Sequence, residues 1–294
     1  MSFIAVVSDS TPGLNEDYVR RHRITIVPLY LKIGDKTYRD GIDITSEEFY
    51  RILPTCDPLP TTSQPSAGDF EAAYRELAAQ GAEGIISVHL SSGISGTVNS
   101  ARIAADNMPN LPIEIVDTRY AAGLHTLVVE AIVSALDAGA TMPEAVAAGQ
   151  RVIDQGKIVF VVDTLEYLYK GGRIGGAAAL LGSVLQFKPL LCFKDGHIDA
   201  LERVRTSTRA LARTIDIMAE WMGRDTPVEA VIMHADCMER AQALAEHLPK
   251  AMNVEQVRIT YIPPVLGAHV GTGTVGICAC PRAVSGSKPN DSAI

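Results

Sequence analysis

Residues 84–106 read GIISVHLSSGISGTVNSARIAAD and join an apolar run to a loop of serine and glycine and then to a periodic stretch. The run 84–90 has the length and composition of a buried strand, and residues 96–106 predict a helix. A strand, a polar loop and a helix in this order form the repeating unit of an α/β fold with a parallel sheet. The loop LSSGISGT at 90–97 is rich in hydrogen-bond donors and carries no charge. The stretch therefore predicts both an α/β fold and a neutral binding loop.

The same alternation of apolar runs and periodic stretches continues along most of the chain. Strands are predicted at 3–8, 84–90, 112–117, 157–162, 228–234 and 256–262. Capping boxes, in which a hydroxyl residue is followed three positions later by an acid, indicate helix starts. They occur at Thr45 with Glu48, Ser66 with Asp69, and Thr141 with Glu144. Gly81 and Gly139 are predicted to end helices.

The second half of the chain departs from the parallel pattern. In LLCFKDGHIDALERVR at 190–205, Asp195 and Gly196 lie between two strand-like runs and indicate a tight antiparallel hairpin. A chain of 294 residues is also long enough for two domains. We therefore predict an α/β protein of two domains. They are an N-terminal domain (1–162) with a largely parallel sheet and flanking helices and a C-terminal α/β domain (163–281) with antiparallel strands. A disordered tail (282–294) is predicted to follow them.

Composition excludes several classes of protein. The 26 basic and 34 acidic residues give a net charge of −8, which argues against nucleic-acid binding and against an anionic membrane surface. The five cysteines lack C-x-x-C spacing, so neither a disulfide framework nor a structural zinc site is expected. No uncharged stretch reaches the roughly 20 residues of a membrane span, and the apolar run at 3–7 is too short for a signal peptide. We expect a cytoplasmic protein without a metal, a cofactor or stable membrane insertion.

The donor-rich loop is consistent with three chemistries. A Walker-type phosphate loop requires a lysine that this loop lacks. A G-x-S-x-G nucleophile elbow is broken by Thr97, although His125, His234 and His269 keep a serine hydrolase as an alternative. In the third, Ser95 and Gly96 open a helix and offer a hydroxyl and an amide to a small anion. The remaining alternative is that Ser95 only caps that helix.

A second hydroxyl-rich segment, PTTSQPS at 60–66, is predicted to be a loop held by its two prolines. Such a loop would present Thr62 and Ser63 to a ligand with little loss of entropy. Alternatively, these hydroxyls satisfy backbone groups at the entry to the next helix.

Two further segments contain candidate site residues. Residues 174–187 carry no charge, which predicts a buried helix whose small residues leave room beside it for an apolar ligand. Arg173 precedes this segment and could pair with an anion, or it is an ordinary surface arginine. His269, in LGAHVGTGTVG at 266–276, could donate to an anion or have a structural role.

Six motifs together resemble the DegV family of bacterial fatty-acid-binding proteins. They are FIAVVSDST, TTSQPS, SSGISGTVNSA, YLYKGGRIGG, VRT and GAHVGTGTVG, in family order between residues 3 and about 281. The resemblance implies a two-domain fold with a long-chain fatty acid buried between the domains and its carboxylate held by hydroxyls, here Thr62 and Ser95. It also implies that the protein presents the acid to a separate ATP-dependent fatty-acid kinase subunit, which forms an acyl phosphate for phospholipid synthesis.

The physical demands of a fatty acid agree with this interpretation. At about 0.8 kcal/mol per methylene, roughly 14 methylenes give on the order of 11 kcal/mol of gross transfer free energy. The carboxylate then needs orientation, which hydroxyls and amides supply without a direct arginine clamp. We expect Arg173 and His269 to lie behind the carboxylate or to face the partner, near the incoming phosphate. A serine esterase and a lipid sensor that involves no phosphorylation remain the alternatives.

Overall fold

The structure is a computed structural model that describes residues 3–181 and 187–285. Its strands are Phe3–Asp9 (β1), Thr25–Val27 (β2), Tyr30–Ile33 (β3), Lys36–Arg39 (β4), Thr61–Ser63 (β5), Ala82–His89 (β6), Ile113–Asp117 (β7), Lys157–Val161 (β8), Lys188–Lys194 (β9), His197–Val204 (β10), Val228–His234 (β11), Val254–Tyr261 (β12) and Val275–Pro281 (β13). Its α-helices are Glu16–Arg21 (α1), Ser46–Ile52 (α2), Ala67–Ala79 (α3), Thr97–Asp106 (α4), Ala122–Asp137 (α5), Met142–Gln155 (α6), Glu166–Lys170 (α7), Ser207–Met222 (α8), Met238–Ala251 (α9), Pro264–Val270 (α10) and Arg282–Ser285 (α11). Leu53–Thr55 and Gly175–Leu180 form 3-10 helices.

The first half of the chain builds a parallel sheet with strand order β2-β1-β6-β7. Successive residues of β1 serve opposite faces: Ala5 and Val7 pack towards α3 and α4, whereas Val6 packs towards α5. A sheet covered by helices on both faces needs strands that are apolar throughout, and this explains the nearly continuous apolar run in β6. The α/β prediction is confirmed.

The second sheet has six strands in the order β10-β9-β8-β13-β11-β12 and mixes parallel and antiparallel pairs. The predicted hairpin is confirmed, because Asp195 and Gly196 connect β9 to β10 with positive φ angles of 50° and 81°. Strand β8 pairs with β9 and β13, so it lies in this sheet and not with the parallel sheet, where a boundary after residue 162 would place it. The division of the chain into domains itself stays a prediction.

A third, three-stranded sheet in the order β4-β3-β5 was not foreseen. The segment predicted to be a proline-held loop contributes a strand: Thr61, Thr62 and Ser63 pair with β3. A run of only three strand residues between two prolines is too short for periodicity to reveal it. Thr62 is therefore fixed by strand pairing and not by the prolines alone.

The predicted helix boundaries are confirmed where capping chemistry marks them. Thr45, Ser66 and Thr141 each form a capping box with the acid three positions later. Gly81 and Gly139 follow α3 and α5 with positive φ angles of 94° and 88°.

Helix α5 lies between the two larger sheets and is buried from Ala122 to Val133. It contacts β1 and β6 of the parallel sheet and β11 and β13 of the mixed sheet. On one side, the Thr126 hydroxyl donates to the Pro12 carbonyl oxygen at 2.8 Å. On the other, Gly123 lies so close to Val231 that a β-carbon there would be 2.9 Å from its side chain. With α8 and α9 on the far face of the mixed sheet, the order of layers is αβαβα.

Two predictions about the chain's second half are wrong. Residues 174–181 do not form a buried helix: Gly175–Leu180 is a short 3-10 helix in which Ala177 is buried and the two alanines that follow it, Ala178 and Ala179, are exposed. Absence of charge was a poor guide to burial here, because small residues tolerate exposure. The rest of that predicted helix, 182–186, lies outside the described residues. The predicted tail also begins too early, because α11 is ordered and Arg282 pairs with Glu229 at 2.8 Å; residues 286–294 are outside the described part.

Candidate functional site

A narrow cavity lies between the two larger sheets, beside the start of α5. Its volume, including the space at its opening, is about 800 Å³. Its apolar walls come from all parts of the fold. They are Leu29, Leu90, Ile94, Ala121, Ala122, Ile158, Phe160, Phe193, Ile198, Met233, Ile262, Val265, Leu266 and Val270. A long, mainly aliphatic wall of this kind suits an unbranched apolar ligand.

Polar side chains line this cavity as well. Of the residues singled out from the sequence, Thr62, Ser63, Ser95, Arg173 and His269 line it. Gly96 lines an adjoining pocket together with Ser95 and Arg173. The two hydroxyl-rich segments, more than 30 positions apart in the chain, thus meet because β5 and the loop before α4 lie at the same place. Their roles in binding a ligand stay predictions.

Thr62 and His269 form the shortest polar contact in this group, with 2.7 Å between Oγ1 and Nε2. Burial, and then the positive charge of Arg173, lowers the pKa of His269 to about 4. The imidazole is therefore neutral at pH 7, and it acquires a charge only when the pH falls towards 4. Its Nδ1 is buried and has no hydrogen-bond partner among the described residues. The histidine thus orients the Thr62 hydroxyl without adding a fixed charge.

Ser95 is held differently from the simple helix cap considered above. The N-cap residue of α4 is Gly96, and the Ser95 hydroxyl accepts from the Thr97 amide at 3.3 Å and bonds to the Thr97 hydroxyl at 2.8 Å. The Gly96 amide donates to Gln64 Oε1 at 3.1 Å. Gln64 approaches so closely that a β-carbon at Gly96 would lie 2.4 Å from Oε1. A side chain at residue 96 would therefore have to displace the end of the Gln64 side chain and with it the hydrogen bond to this amide.

Arg173 bridges two backbone segments at the cavity. Its Nε donates to the Ile94 carbonyl oxygen at 3.2 Å and its Nη1 to the Gly171 carbonyl oxygen at 2.8 Å. It lines the cavity and both adjoining pockets, one beside Ser95 and one beside Thr62. The guanidinium thus lies where the three spaces meet, and it is not an isolated surface arginine.

Two of the three histidines considered for a hydrolase, His125 and His234, lie outside the cavity. His125 is fully buried, and it contacts Ser8 and Thr11 at 3.3 and 3.2 Å. Burial lowers its pKa to about 4 despite the neighbouring Asp9 carboxylate. His234 packs against Tyr261, with 4.3 Å between ring centroids. Neither lines the cavity; His269 does line it, but its Nε2 bonds to the Thr62 hydroxyl, whereas the Ser95 hydroxyl bonds to Thr97.

Four residues that the sequence analysis did not single out belong to the site: Gln64, Phe160, Gly171 and Phe193. Gln64 directly follows two of the predicted site residues, so its position in the segment was a usable signal. The aromatic pair comes from β8 and β9, and only the tertiary pairing of these strands brings it to the cavity. Gly171 packs on the ring of His269, where a β-carbon would lie 2.3 Å from Nδ1.

Gly171→Ala is expected to displace His269 from Thr62. The φ of Gly171 is −76°, so alanine introduces no backbone strain there, and the effect comes only from the clash with the imidazole and the Tyr167 carbonyl oxygen. We expect the pKa of His269, measured by NMR titration, to rise from about 4 towards its ordinary value as the ring becomes more exposed. Gly68→Ala is the control, because a β-carbon there meets only Ser66 Oγ at 3.6 Å. An unchanged His269 titration in Gly171→Ala would contradict the packing argument.

Together, the fold and the site define an α/β protein whose two larger sheets enclose an apolar cavity lined in part by hydroxyl groups. Residues 3–282 match the family model of uncharacterised DegV-family proteins, and the chain belongs to the DegV family. A DegV domain-containing protein of Streptomyces coelicolor is 38% identical over 280 residues, which cover 95% of this chain and 99% of the relative.

Solved structures confirm the fold. A DegV-family protein from Thermus thermophilus, described as binding fatty acid, superposes with a TM-score of 0.89 at 33% identity, covering 95% of this chain and 99% of that one. DegV of Bacillus subtilis, described as a fatty-acid-binding protein, has a TM-score of 0.87 at 32% identity with the same coverage. The predicted DegV-like fold is thus confirmed.

Across residues 3–181 and 187–285, none of the helices combines the length and the apolar character needed to cross a membrane.

Proposed function

We propose that this protein binds a long-chain fatty acid in the cavity between its sheets. The observation that carries the proposal is the meeting of neutral hydroxyls with a narrow aliphatic cavity. The solved relatives described as fatty-acid-binding proteins support it. The cavity walls remove the tail from water, and at about 0.8 kcal/mol per methylene the tail supplies most of the affinity.

The head group would lie among Thr62, Ser95 and the Gly96 amide. Thr62 is oriented by neutral His269, and Ser95 by Thr97. The Gly96 amide is taken by Gln64 in this structure, so the side chain of Gln64 has to turn aside before the amide can donate to a carboxylate. Neutral donors satisfy a buried carboxylate without the strong attraction of a direct ion pair.

The proposal also includes a protein partner that phosphorylates the bound acid. A separate kinase subunit that holds ATP would approach the head group, and a carboxylate oxygen would attack the γ-phosphorus. The bond between this phosphorus and the bridging oxygen of ADP breaks, which leaves acyl phosphate and ADP. Arg173, at the junction of the three pockets, would neutralise charge on the incoming phosphate.

We also propose a cytoplasmic location. The five cysteines are free, which is consistent with a reducing cytoplasm.

The first test is chemical identification of the bound ligand. Protein freshly purified from a bacterial host is denatured and extracted, and the extract is examined by mass spectrometry. We expect long-chain fatty acid in near-stoichiometric amount. A protein without acyl chains that also fails to bind added fatty acid would overturn the proposal.

The second test separates the head-group role from stability. Thr62→Val removes one hydroxyl at nearly constant volume and is expected to lower acyl phosphate formation by about 10- to 100-fold, the effect of one hydrogen bond to a charged group. Thr61→Val is the matched control: it lies next in the same strand but does not line the cavity. Ser95→Ala should resemble Thr62→Val. Equal rates in the Thr61 and Thr62 variants would reject the assigned role.

The same assays separate the alternatives. Hydrolysis of activated esters that disappears in Ser95→Ala would favour an esterase. Tight fatty-acid binding with no phosphorylation by any kinase subunit would favour a lipid sensor.

A further inference from the structure

An aromatic group closes one side of the cavity. Phe193 of β9 packs between Tyr120 and Phe160, with ring centroids 5.9 and 6.5 Å away. The Tyr120 hydroxyl donates to the Gly156 carbonyl oxygen at 3.4 Å, which fixes that ring across the gap before β8. The rings therefore form a continuous wall from the loop before α5 to the mixed sheet.

Phe193 also lines a second space on the other side of this wall. That outer pocket has a volume of about 600 Å³, including the space at its opening, and is bordered by Tyr120 and Phe193 together with the charged side chains of Arg119, Asp154 and Asp195. Phe193 contributes to both the cavity and the outer pocket, whereas Phe160 lines only the cavity. One phenyl ring thus separates an apolar space from a polar one.

The outer pocket lies apart from the polar residues of the cavity. Thr62, Ser95, Arg173 and His269 each line the cavity and at least one of its two other adjoining pockets, but none of them lines the outer pocket, which shares only Phe193 with the cavity. A ligand whose head lies at Thr62 therefore directs its tail towards Phe193.

The turn between β9 and β10, which follows Phe193, is held by contacts with the loops after β6 and β7. The Ser91 hydroxyl donates to the Gly196 carbonyl oxygen at 2.7 Å, and Arg119 pairs with Asp195 at 3.1 Å. The buried Ser91 contact holds the hairpin turn against the loop after β6, so Phe193 is not free to swing away with the turn.

We propose that Phe193, backed by Tyr120, sets the longest acyl chain that the protein accepts. This inference rests on the proposed fatty-acid binding and adds its selectivity. Each methylene buried before the wall raises affinity about fourfold. A chain that reaches the wall gains nothing from further length, because additional methylenes would have to displace the ring or enter the polar outer pocket.

The test is a series of saturated fatty acids of increasing length, titrated into delipidated protein. Wild type should gain about fourfold in affinity per methylene up to an optimum and then lose affinity. In Phe193→Ala, the optimum moves to longer chains, and a chain about two methylenes beyond the wild-type optimum binds about 15-fold more tightly than to wild type. In Phe193→Trp, the optimum moves to shorter chains.

Phe160→Ala is the matched control. It removes the same phenyl group from the same cavity without opening the outer pocket, so it should weaken all chains similarly and leave the optimum unchanged. An unchanged optimum in both Phe193 variants overturns the inference, as does an equal shift in Phe160→Ala. If wild type itself binds none of the acids, the proposed function fails instead. Should Phe193→Ala not fold, the direction of the shift in Phe193→Trp decides.

Discussion

Ala121→Phe is expected to empty the cavity of its ligand. Ala121 is buried, lines the cavity beside the start of α5 and has an extended backbone with φ −146° that accepts any residue. A phenyl ring there occupies the path of the tail. If it excludes about four methylenes, the affinity for fatty acid falls by about 100-fold or more. Mass spectrometry of extracted protein, together with titration of a fluorescent fatty acid, measures the loss.

A graded variant distinguishes blockage from misfolding. Ala121→Val adds less volume at the same position and should reduce the binding of fatty acid only partly. Overpacking in Ala121→Phe should also lower the free energy of unfolding, by about 1–3 kcal/mol. Thermal unfolding of both variants provides the comparison. Full fatty-acid content in a folded Ala121→Phe protein would mean that the ligand does not occupy this cavity.

Arg258→Met should cause the largest loss of stability among single substitutions far from the site. Arg258 of β12 is 13% exposed and pairs with Glu130 of α5, with Nη1 2.6 Å from Oε1, and with fully buried Glu229 at 3.2 Å. Removing the guanidinium leaves buried carboxylates with less compensation, which costs about 3–5 kcal/mol. Urea unfolding at neutral pH measures this free energy.

Two comparisons make the Arg258 prediction specific. Lys250→Met removes a cation from an exposed pair with Glu246 and should change stability by about 0.5 kcal/mol or less. Adding Glu130→Gln to Arg258→Met removes one of the two carboxylate charges that Arg258 pairs with and should restore part of the loss. The idea fails if the Lys250 and Arg258 variants are equally stable.

Much of the fold could be predicted because its signals are local. The strand at 84–90 and the capping box at Ser66 depend on neighbouring residues, and each was found within two residues of its observed position. The hairpin turn at Asp195 and Gly196 is equally local, because a two-residue connection requires positive φ angles that few residue types adopt. Strands, helix caps and turns of this kind can be predicted from the sequence without knowledge of the tertiary structure.

The candidate site was predictable only in part. Thr62 and Ser95 stand in segments whose hydroxyl content is unusual, so composition alone marked them. Phe193 and Gly171 carry no such mark, since one is an ordinary strand phenylalanine and the other a glycine among several. Their importance arises from β8 pairing with β9 and from the contact with His269, both of which join distant parts of the chain. The segment after Arg173 was misjudged because absence of charge does not distinguish a buried helix from an exposed run of alanine and glycine.

The position of helix α5 between the two larger sheets determines how cooperatively the protein unfolds. Because its two sides complete the hydrophobic cores of both larger sheets, either sheet alone would expose a broad apolar face to water. Separation of the two halves is therefore nearly as unfavourable as unfolding, and we expect the halves to melt together as one cooperative unit. If the protein binds a fatty acid as proposed, we therefore expect the acyl chain to enter through small movements of the segments at the cavity mouth and not by separation of the two sheets.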